Sequence, residues 1–493
     1  MEDLSATRPE LRPNTISYNT IISAYAKNGN IDQAEHILQR MEQQSQSQSQ
    51  SQSESESQSQ SGSRCGSCPP DTVTYNSIIN GLSMSSDPNG GERAEAILRR
   101  MEEMRRMEKM MMIPAGADGA QHAQPDLKSY TSVVNAFAKR GAAGRAEAIL
   151  NDMVYLYQQG NDNLKPTILS FNTVCNSYAK SECRNDGDRA LALLHRMETL
   201  HNAQGEYYVQ PDIVTYTSVL DALSKQGTKD SAQKALDLLQ VVERKYQETK
   251  SVSIKPNVRT YTSVINAISK SKVQPQRAQD ILDRIEAVNE LNDDTTTTTT
   301  SADNDDDDNH LQIDVDSVCY NAVLNAWGWS SAPDKVQQAN KLFHRMLHLY
   351  ASGRNVRVKP NLVTLNSLLN ACAFARVKGG EGHAAVVLEV ATNAFEQFVV
   401  DETKYGSANG LTYGIMLKIF NKFLPRNDDL RTEKMKNVFH QCCQNGYLDV
   451  SIFSQLKKGV STVELKHLLG DGFLMDTSGK VRIDKRKFPK QWY

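Results

Sequence analysis

The sequence predicts an all-α fold built as a solenoid of helix-turn-helix repeats, and two observations lead to this prediction. First, the phrase PDIVTYTSVLDALSKQG at Pro211 recurs as PNVRTYTSVINAISKSK at Pro256, and related phrases extend from Pro13 to Phe423. Second, each phrase carries apolar residues at the three- and four-residue spacing of an amphipathic helix. Self-similarity with a period of roughly 20 to 50 residues is typical of repeat solenoids.

The composition is that of a folded protein without a membrane span. Of 493 residues, 39% are hydrophobic and 23% are charged. No apolar run approaches the roughly 18 residues that cross a bilayer. The net charge is −2, yet ten acidic residues and no Lys or Arg lie between 289 and 316. The remainder of the chain is therefore mildly basic, so the low net charge does not exclude a nucleic-acid partner.

Each repeat is predicted to be a hairpin of two helices. In the first copy the apolar stripe comprises Tyr18, Ile21, Ile22 and Tyr25, and the segment from Ala34 to Met41 repeats the spacing after a polar turn. One hairpin cannot bury both of its apolar faces, but stacked neighbours can. Prolines precede most of the first helices, where the missing backbone N–H has no cost.

Segments without apolar residues interrupt the repeats and are predicted to be disordered insertions. The SQSQSQ tract and the Thr/Asp tract are the clearest of them. The predicted domains are 1–14, a tail or the remnant of a preceding repeat; 15–424, an array of about nine hairpins with insertions near 43–69, 106–124 and 289–312; and 425–493, a helical cap with a basic tail.

The hairpins resemble pentatricopeptide repeats (PPR), in a P-type array with long insertions between repeats. Eight units follow, three of them fully and five with one to three departures, the order Pro, Asp or Asn, apolar, any residue, Thr or Ser, aromatic, and Asn or Thr, before a helix with an Ala-containing stripe. The likeness covers Pro13 to Leu424, and the Trp and Leu-Gly signature of tetratricopeptide repeats is not seen. The resemblance implies a right-handed superhelical solenoid that binds single-stranded RNA.

In this family each repeat offers two side chains to one RNA base. The first base-reading place follows the aromatic residue, and the second closes the repeat after the proline. A short amide or hydroxyl suits the first place because it can hydrogen-bond the edge of a base. The first place holds Asn19, Asn76, Thr131, Asn172, Thr217, Thr262, Asn321 and Asn366. The second place holds Asp71, Asp126, Thr167, Asp212, Asn257, Asp316, Asn361 and Asn409.

The family's code, read with the family's parallel polarity, implies a ligand near 5′-UUNUAGYY-3′. Asn with Asp favours U, Thr with Asn favours A, Thr with Asp favours G, and Asn with Asn favours a pyrimidine. The pair Thr131 with Thr167 is outside this code. The residues themselves leave two structural alternatives open. Asn and Thr at the first place are also favoured as helix caps or first-turn residues, and Asp or Asn after Pro is also turn chemistry.

Two further places recur at fixed offsets from the aromatic residue. Two residues before it, apolar side chains suited to sandwiching a base are Ile16, Val73, Leu169, Val214, Val318 and Val363, with Leu411 in a weaker ninth unit. Nine residues after it, cations suited to phosphate contact are Lys27, Lys139, Lys180, Lys225 and Lys270, with Lys422 in the ninth unit. The alternatives are hairpin core for the apolar set and a cation at a helix C-terminus for the lysines.

No enzymatic function is predicted. The zinc-deaminase pattern H-x-E with Pro-Cys-x-x-Cys, which is found on some PPR relatives, does not occur. Cys65 and Cys68 form a lone CxxC without a second ligand pair, so neither a metal site nor a cofactor is expected. The run from Asp305 to Asp308 is typical of a solvated linker.

The resemblance therefore implies sequence-selective RNA binding by a monomer that acts in organellar RNA processing, stabilisation or translation. The alternative is a protein-protein interaction scaffold, because helical-hairpin arrays also present peptide-binding surfaces. The family favours a mitochondrion or plastid, although no transit peptide is visible. Pro13 and Asn14 close a repeat, so we expect the chain to begin within a longer array. The C-terminal region is expected to contact RNA or a protein partner.

Overall fold

The computed structural model describes residues 13–53, 68–110, 123–181, 183–204, 209–272, 274–296, 313–376, 381–400, 402–425, 428–475, 481–483 and 489. Contacts divide the chain into two compact units, Met1–Gln226 and Gly227–Tyr493. The all-α repeat fold is confirmed, and the exception among the described residues is one short strand pair. No helix in these ranges combines the length and the apolarity that a membrane crossing requires.

The first unit consists of helices that alternate between the first and second positions of a hairpin. They are α1 Thr15–Lys27, α2 Ile31–Ser53, α3 Thr72–Met84, α4 Gly90–Met110, α5 Leu127–Lys139, α6 Ala143–Gln158, α7 Ile168–Lys180, α8 Asp186–Gln204 and α9 Ile213–Gln226. A short 3₁₀ turn, Asp162–Leu164, precedes α7.

The second unit continues the alternation. Its helices are α10 Lys229–Thr249, α11 Val258–Ser271, α12 Pro275–Thr296, α13 Ser317–Trp329, α14 Lys335–Ala351, α15 Leu362–Ala373, α16 Glu381–Val400, α17 Glu402–Tyr405, α18 Gly410–Phe423, α19 Asp429–Gln444, α20 Val450–Gly459 and α21 Thr462–Leu469. The 3₁₀ turns are Val252–Ile254, Val356–Val358 and Gly470–Gly472, and the antiparallel strands are β1 Phe473–Met475 and β2 Val481–Ile483.

The first helix of a hairpin begins where a polar side chain satisfies the free N–H groups of the first turn. At Asp126, which precedes α5, a carboxylate oxygen accepts from the Ser129 N–H at 2.8 Å, and the Ser129 hydroxyl accepts from the Asp126 N–H at 3.1 Å. The same reciprocal capping box starts α3, α11, α15 and α18. An Asp or Asn followed three residues later by Ser or Thr therefore fixes these helix starts.

First helices pack against one another in chain order, and second helices pack beside them. The row is α1, α3, α5, α7 and α9 in the first unit, and α11, α13, α15, α18 and α20 in the second. Ile79, Val134 and Ile265 on these faces are fully buried. The small side chains of Ala94 and Ala146, also fully buried, allow the second helices to approach closely. Stacking therefore buries the apolar faces that one hairpin would leave exposed.

Buried hydrogen bonds link successive hairpins through the aromatic residue of the first helix. The Tyr75 hydroxyl donates to Glu42 Oε1 of the preceding second helix at 2.6 Å, and Tyr130 donates to Glu102 in the same way. Tyr178 with Glu147 and Tyr320 with Glu286 repeat the contact. Burial, and then the bond to the glutamate, raise the pKa of Tyr75 and Tyr130. These phenols therefore remain donors at neutral pH.

Several predicted segment boundaries are wrong. Helices α2, α4 and α12 continue to Ser53, Met110 and Thr296, and so enter the segments 43–69, 106–124 and 289–312 that were predicted to be disordered. Gln, Glu, Met and Arg are good helix formers, so low apolarity alone does not end a helix that packing has started. The remainder of the insertions is largely outside the described residues, as are 1–12 and most of the basic tail.

The C-terminal region continues the repeat pattern. The boundary predicted at 424 falls inside the ninth hairpin, whose helices are α18 and α19. Helices α20 and α21 form a tenth, shorter hairpin: Asp449 accepts from the Ile452 N–H at 2.9 Å, and α20 packs on α18. Phe453, which is 4% exposed, occupies the aromatic place. The sequence did not reveal this unit because Leu448 and Ile452 replace the usual proline and hydroxyl residue.

Candidate nucleic-acid interface

The second base-reading place is the N-cap of the following first helix. Asp71 accepts from the Thr74 N–H at 2.8 Å, and Asp316 accepts from the Cys319 N–H at 2.9 Å. Equivalent bonds are made by Asp126, Thr167, Asp212, Asn257, Asn361 and Asn409. Turn and cap chemistry is therefore confirmed at this place. All eight side chains also remain at least partly exposed, so the cap role leaves a surface for a ligand.

The first base-reading place is the fifth residue of each first helix, and the helix-cap explanation is wrong for it. Asn19 and Thr131 are partly exposed. The other six side chains are only 5–9% exposed: Asn76, Asn172, Thr217, Thr262, Asn321 and Asn366. A base that reads these groups must therefore contact a narrow exposed edge.

The first and second places meet through hydrogen bonds between successive hairpins. Asn19 Nδ2 donates to the two carboxylate oxygens of Asp71 at 3.1 and 3.2 Å. The Thr74 hydroxyl lies 2.5 Å from Asn19 Oδ1 and 2.8 Å from Asp71 Oδ1. The carboxylate and the hydroxyl together fix which end of the amide is the donor and which is the acceptor.

Two more pairs in the first unit have the same geometry. Asn76 Nδ2 lies 3.1 Å from Asp126 Oδ1, and the Ser129 hydroxyl donates to Asn76 Oδ1 at 2.6 Å. Asn172 Nδ2 lies 3.1 Å from Asp212 Oδ1, and the Thr215 hydroxyl donates to Asn172 Oδ1 at 2.5 Å. An asparagine amide can donate two N–H bonds and accept two. Its orientation is thus fixed without using its whole hydrogen-bonding capacity.

Asparagines of the second unit depart from this arrangement. Asn321 Nδ2 lies 3.4 Å from Asn361 Oδ1, and the buried Asn321 Oδ1 has no protein hydrogen-bond partner among the described residues. For the next pair, the Thr412 hydroxyl lies 2.8 Å from Asn366 Oδ1 and 3.0 Å from Asn409 Oδ1. With Asn at the second place, the strong acceptor that Asp provides is missing, so the amides are held less firmly.

Threonines at the first place form different hydrogen bonds from those of the asparagines. Thr131 donates to the Leu127 carbonyl and Thr262 to the Val258 carbonyl, each at 2.8 Å and within its own helix. This local bond is usual for a helical threonine. Thr217 and its predicted partner Asn257 belong to different units.

The apolar side chains two residues before the aromatic residue are exposed. Their exposed fractions are Ile16 72%, Val73 58%, Leu169 71%, Val214 54%, Val318 57%, Val363 55% and Leu411 61%. The hairpin-core explanation is therefore wrong for this place. Lys128 and Arg259, which replace the apolar residue in two repeats, are exposed as well. An apolar position that stays at the surface in seven helices calls for an explanation other than folding.

The lysines nine residues after the aromatic residue are exposed at the end of the first helix. Lys225 Nζ donates to the Ser181 carbonyl at 3.4 Å, and Lys422 Nζ donates to the carbonyls of Ala373 and Ala375 at 2.9 and 2.6 Å. All three carbonyls lie at or just after the end of the first helix of the preceding hairpin. These two lysines therefore interact with the C-terminus of the neighbouring first helix, and not with that of their own helix as the alternative explanation supposes.

Metal chemistry finds no support in the described part of the chain, where no group of three His, Cys, Asp or Glu side chains is placed to hold an ion. Cys65 lies outside those residues. Burial raises the pKa of Cys175 and Cys372 to about 12, so both thiols remain protonated. Analysis of the sequence missed the hydroxyls of Thr74, Ser129, Thr215 and Thr412, although the capping-box spacing could have identified them.

Comparisons with known proteins agree with the repeat geometry. Models described as "PPR repeat" match residues 10–42 and 128–156, and a model described as "Pentatricopeptide repeat domain" matches 200–271. A chloroplastic pentatricopeptide repeat-containing protein of Arabidopsis thaliana is 23% identical over 179 residues, which are 36% of this chain and 17% of that protein.

Solved structures of pentatricopeptide repeat proteins are also similar. PPR10 from maize has 18% identity and a TM-score of 0.34, with 93% of this chain and 63% of that chain covered. PPR10 in complex with an 18-nt psaJ RNA element has 15% identity and a TM-score of 0.29, with 93% and 64% covered. The chain thus spans less than two thirds of each of these relatives.

Stacked helical hairpins with a repeated polar pair define a helical-repeat protein. The matched ranges fall on α1 with α2, on α5 with α6, and on the segment that includes α9 and α11. The matches confirm that the chain contains pentatricopeptide repeats, as the sequence phrases predicted.

Proposed function

We propose that the chain binds single-stranded RNA with sequence selectivity and that each repeat reads one base. The observation that carries the proposal is the exposed apolar side chain at the second residue of seven first helices, such as Leu169 at 71% and Val318 at 57%. Water contact with these groups is unfavourable, and the faces of RNA bases are apolar surfaces of suitable size. A base placed beside this side chain also lies near the polar pair.

Each polar pair would meet the Watson–Crick edge of that base. In the fourth repeat, Asp212 orients the Asn172 amide, and the partly exposed carboxylate offers further acceptor positions. In the sixth repeat, Thr262 bonds within its helix, so the partly exposed carboxylate of Asp316, which also caps α13, would be the main acceptor for the base. Different pairs thus present different donors and acceptors, as a base-selective code requires. The ligand predicted from the code is near 5′-UUNUAGYY-3′.

The lysines would contact phosphates. Six first helices carry a lysine at the same place, and all six are exposed. Each phosphate contact on a single strand lowers the salt exponent of binding by about 0.7, so six contacts give a slope of about −4 in log K against log salt.

Occupancy of an RNA segment would act in organellar RNA processing, stabilisation or translation by blocking nucleases or remodelling structure, without a catalytic step. A mitochondrial or plastid location is supported by the family and by a relative that is described as chloroplastic. The chain would act as a monomer, or together with a protein bound at its C-terminal region. The mass of the complex that it forms on RNA distinguishes these two cases.

Fluorescence anisotropy with labelled 5′-UUNUAGYY-3′ and single-base variants, at several salt concentrations, tests the proposal. We expect the predicted RNA to bind tightest and the salt slope to fall near −4. The variant Thr217→Asn should lose preference for A at the fifth base while retaining the ranking at the other bases. Equal affinity for all the RNAs would reject the code, and no RNA binding with capture of a protein partner would favour the scaffold alternative.

A further inference from the structure

Two consecutive repeats replace the lysine nine residues after the aromatic residue with another aromatic residue. The seventh repeat has Trp329 at this place and the eighth has Phe374, at the ends of α13 and α15. They are 45% and 39% exposed. The two rings contact each other with centroids 5.1 Å apart and planes inclined by 32°. An exposed pair of large rings at a place otherwise held by lysine needs a physical reason.

Burial in the core does not account for Trp329. Trp327, two residues earlier in the same helix, is 3% exposed, and its indole N–H donates to Gln279 Oε1 at 2.8 Å. That side chain satisfies the packing and the hydrogen bonding of a core tryptophan. Trp329 instead leaves nearly half of its surface available for contact.

Cations surround the two rings. Lys272 Nζ lies 5.7 Å from the centroid of the Trp329 ring, and Lys418 Nζ lies 4.0 Å from that of Phe374. Both distances are within the range of cation–π attraction. The Lys272 side chain is exposed, so an incoming planar group could displace its ammonium from the ring face.

The rings line a cavity of about 330 Å³, a size that accepts a small ligand. Its walls comprise Trp329 and Phe374, the cations Lys272, Lys335 and Arg376, and the turn after α13. None of these lining residues is acidic. A planar apolar surface beside three cations is complementary to a group that is flat and aromatic at one end and anionic at the other.

Lys335 is the buried cation of this cavity. It is 3% exposed, and its ammonium donates to the carbonyl of Gly328 at the end of α13 at 2.9 Å and to that of Ser330 at 3.2 Å. Burial lowers its pKa to about 8; the nearby charges of Lys422 and Arg376 act in the same direction, and Cys372 acts in the opposite one. A bound anion would relieve this repulsion among positive charges.

We infer that this cavity binds one nucleotide, with its base stacked on Trp329 and Phe374 and its phosphate beside Lys272, Lys335 and Arg376. If the bound nucleotide is part of an RNA strand, the inference rests on the proposed RNA function. In that case the seventh and eighth repeats hold the strand by stacking at the place where other repeats contact phosphate. A free mononucleotide has the same chemistry, and the experiment separates the two sources.

Tryptophan fluorescence tests the inference. The full chain is titrated with three probes: RNA with one further nucleotide on each side of 5′-UUNUAGYY-3′, whose eight bases are all assigned to polar pairs; AMP; and inorganic pyrophosphate, which has no base. The Trp329→Phe variant identifies the signal of this residue among the three tryptophans of the chain. We expect RNA to quench the Trp329 signal. Quenching by AMP alone would identify a free nucleotide as the ligand and would count against the proposed RNA function while supporting the cavity.

Substitutions measure what the rings contribute. Stacking on an aromatic side chain is worth about 1–3 kcal/mol per base, so Trp329→Ala should weaken binding roughly 5- to 150-fold, while Trp329→Phe should retain most of it. Met84→Ala is the matched control, because Met84 occupies the same place in the second repeat and is 68% exposed. Circular dichroism checks that each variant is folded.

Three results would overturn the inference. They are unchanged Trp329 fluorescence with both RNA and AMP, equal affinity of Trp329→Ala and the unaltered chain, and pyrophosphate binding as tightly as AMP. If RNA binds the unaltered chain and Trp329→Ala equally while Val363→Ala binds more weakly, the cavity inference fails and the proposed RNA function stands.

Discussion

Replacing Val363 with alanine separates RNA binding from folding. Val363, the second residue of α15, is 55% exposed. Complete burial of a valine is worth about 1.5–3 kcal/mol, so the covered part of this side chain contributes about 1 kcal/mol to stability. A base that covers the exposed part of Val363 would contribute about 1 kcal/mol to the free energy of RNA binding. Val363→Ala is therefore expected to weaken RNA binding about fivefold and to lower the unfolding midpoint only slightly.

Val356 provides a matched control. It is 68% exposed and lies in the 3₁₀ turn Val356–Val358, outside the places that are proposed to contact RNA. Val356→Ala should leave the affinity for 5′-UUNUAGYY-3′ RNA unchanged in an anisotropy titration. The triple variant with alanine at Val214, Val318 and Val363 should lose about 3 kcal/mol of binding free energy, because the effects of distant sites are nearly additive. Its affinity for the RNA should therefore fall roughly 150-fold. Equal affinity of the triple variant and the unaltered chain would refute the sandwiching role.

Three further predictions concern the base code, the links between hairpins and the buried lysine. Thr262→Asn should change the preferred sixth base from G to U, since Asp316 would then face an amide; an unchanged ranking of RNA variants would count against this pair as readers. Glu102→Ala should lower the free energy of unfolding by about 1–3 kcal/mol, because it leaves the buried Tyr130 hydroxyl without its acceptor; urea denaturation measures the loss, and Glu102→Gln should retain most of the stability. Raising the pH through about 8 should weaken RNA binding as Lys335 loses its charge, and Lys335→Met should flatten this dependence in titrations at constant salt. Over the same window the unfolded chain holds the Lys335 proton more tightly than the folded one, so this residue favours folding increasingly as the pH rises.

Periodicity predicted which residues are equivalent but not which of them face solvent. Val318 and Val323 are valines in the same helix, and they are 57% and 0% exposed. Ile21 and Ile22 were both expected in the apolar stripe, yet they are 44% and 0% exposed. A helical pattern defines faces relative to one another, and neighbouring helices decide which face is covered.

Helix-capping chemistry, which acts between residues close in sequence, likewise predicted the geometry of the second base-reading place but not that of the first. Asp71 caps its own helix, and that role follows from a spacing of three residues. Its contact with Asn19 joins residues 52 positions apart and could be assigned before the structure only through resemblance to a family. The sequence also contained Trp329 and Phe374, but nothing in their spacing shows that the two rings touch.

The sequence by itself determined the helical hairpin, the start of the first helix in the repeats that it revealed, and the order of those repeats, because amphipathic spacing and helix capping are interactions between residues a few positions apart. Tertiary structure decided that asparagine amides meet the acidic caps of the next hairpin, that one row of apolar side chains remains exposed, and that two aromatic rings and several cations share a cavity. The contacts between asparagine and cap and between the two rings exist only after neighbouring hairpins stack, since the residues that make them are 40 or more positions apart along the chain.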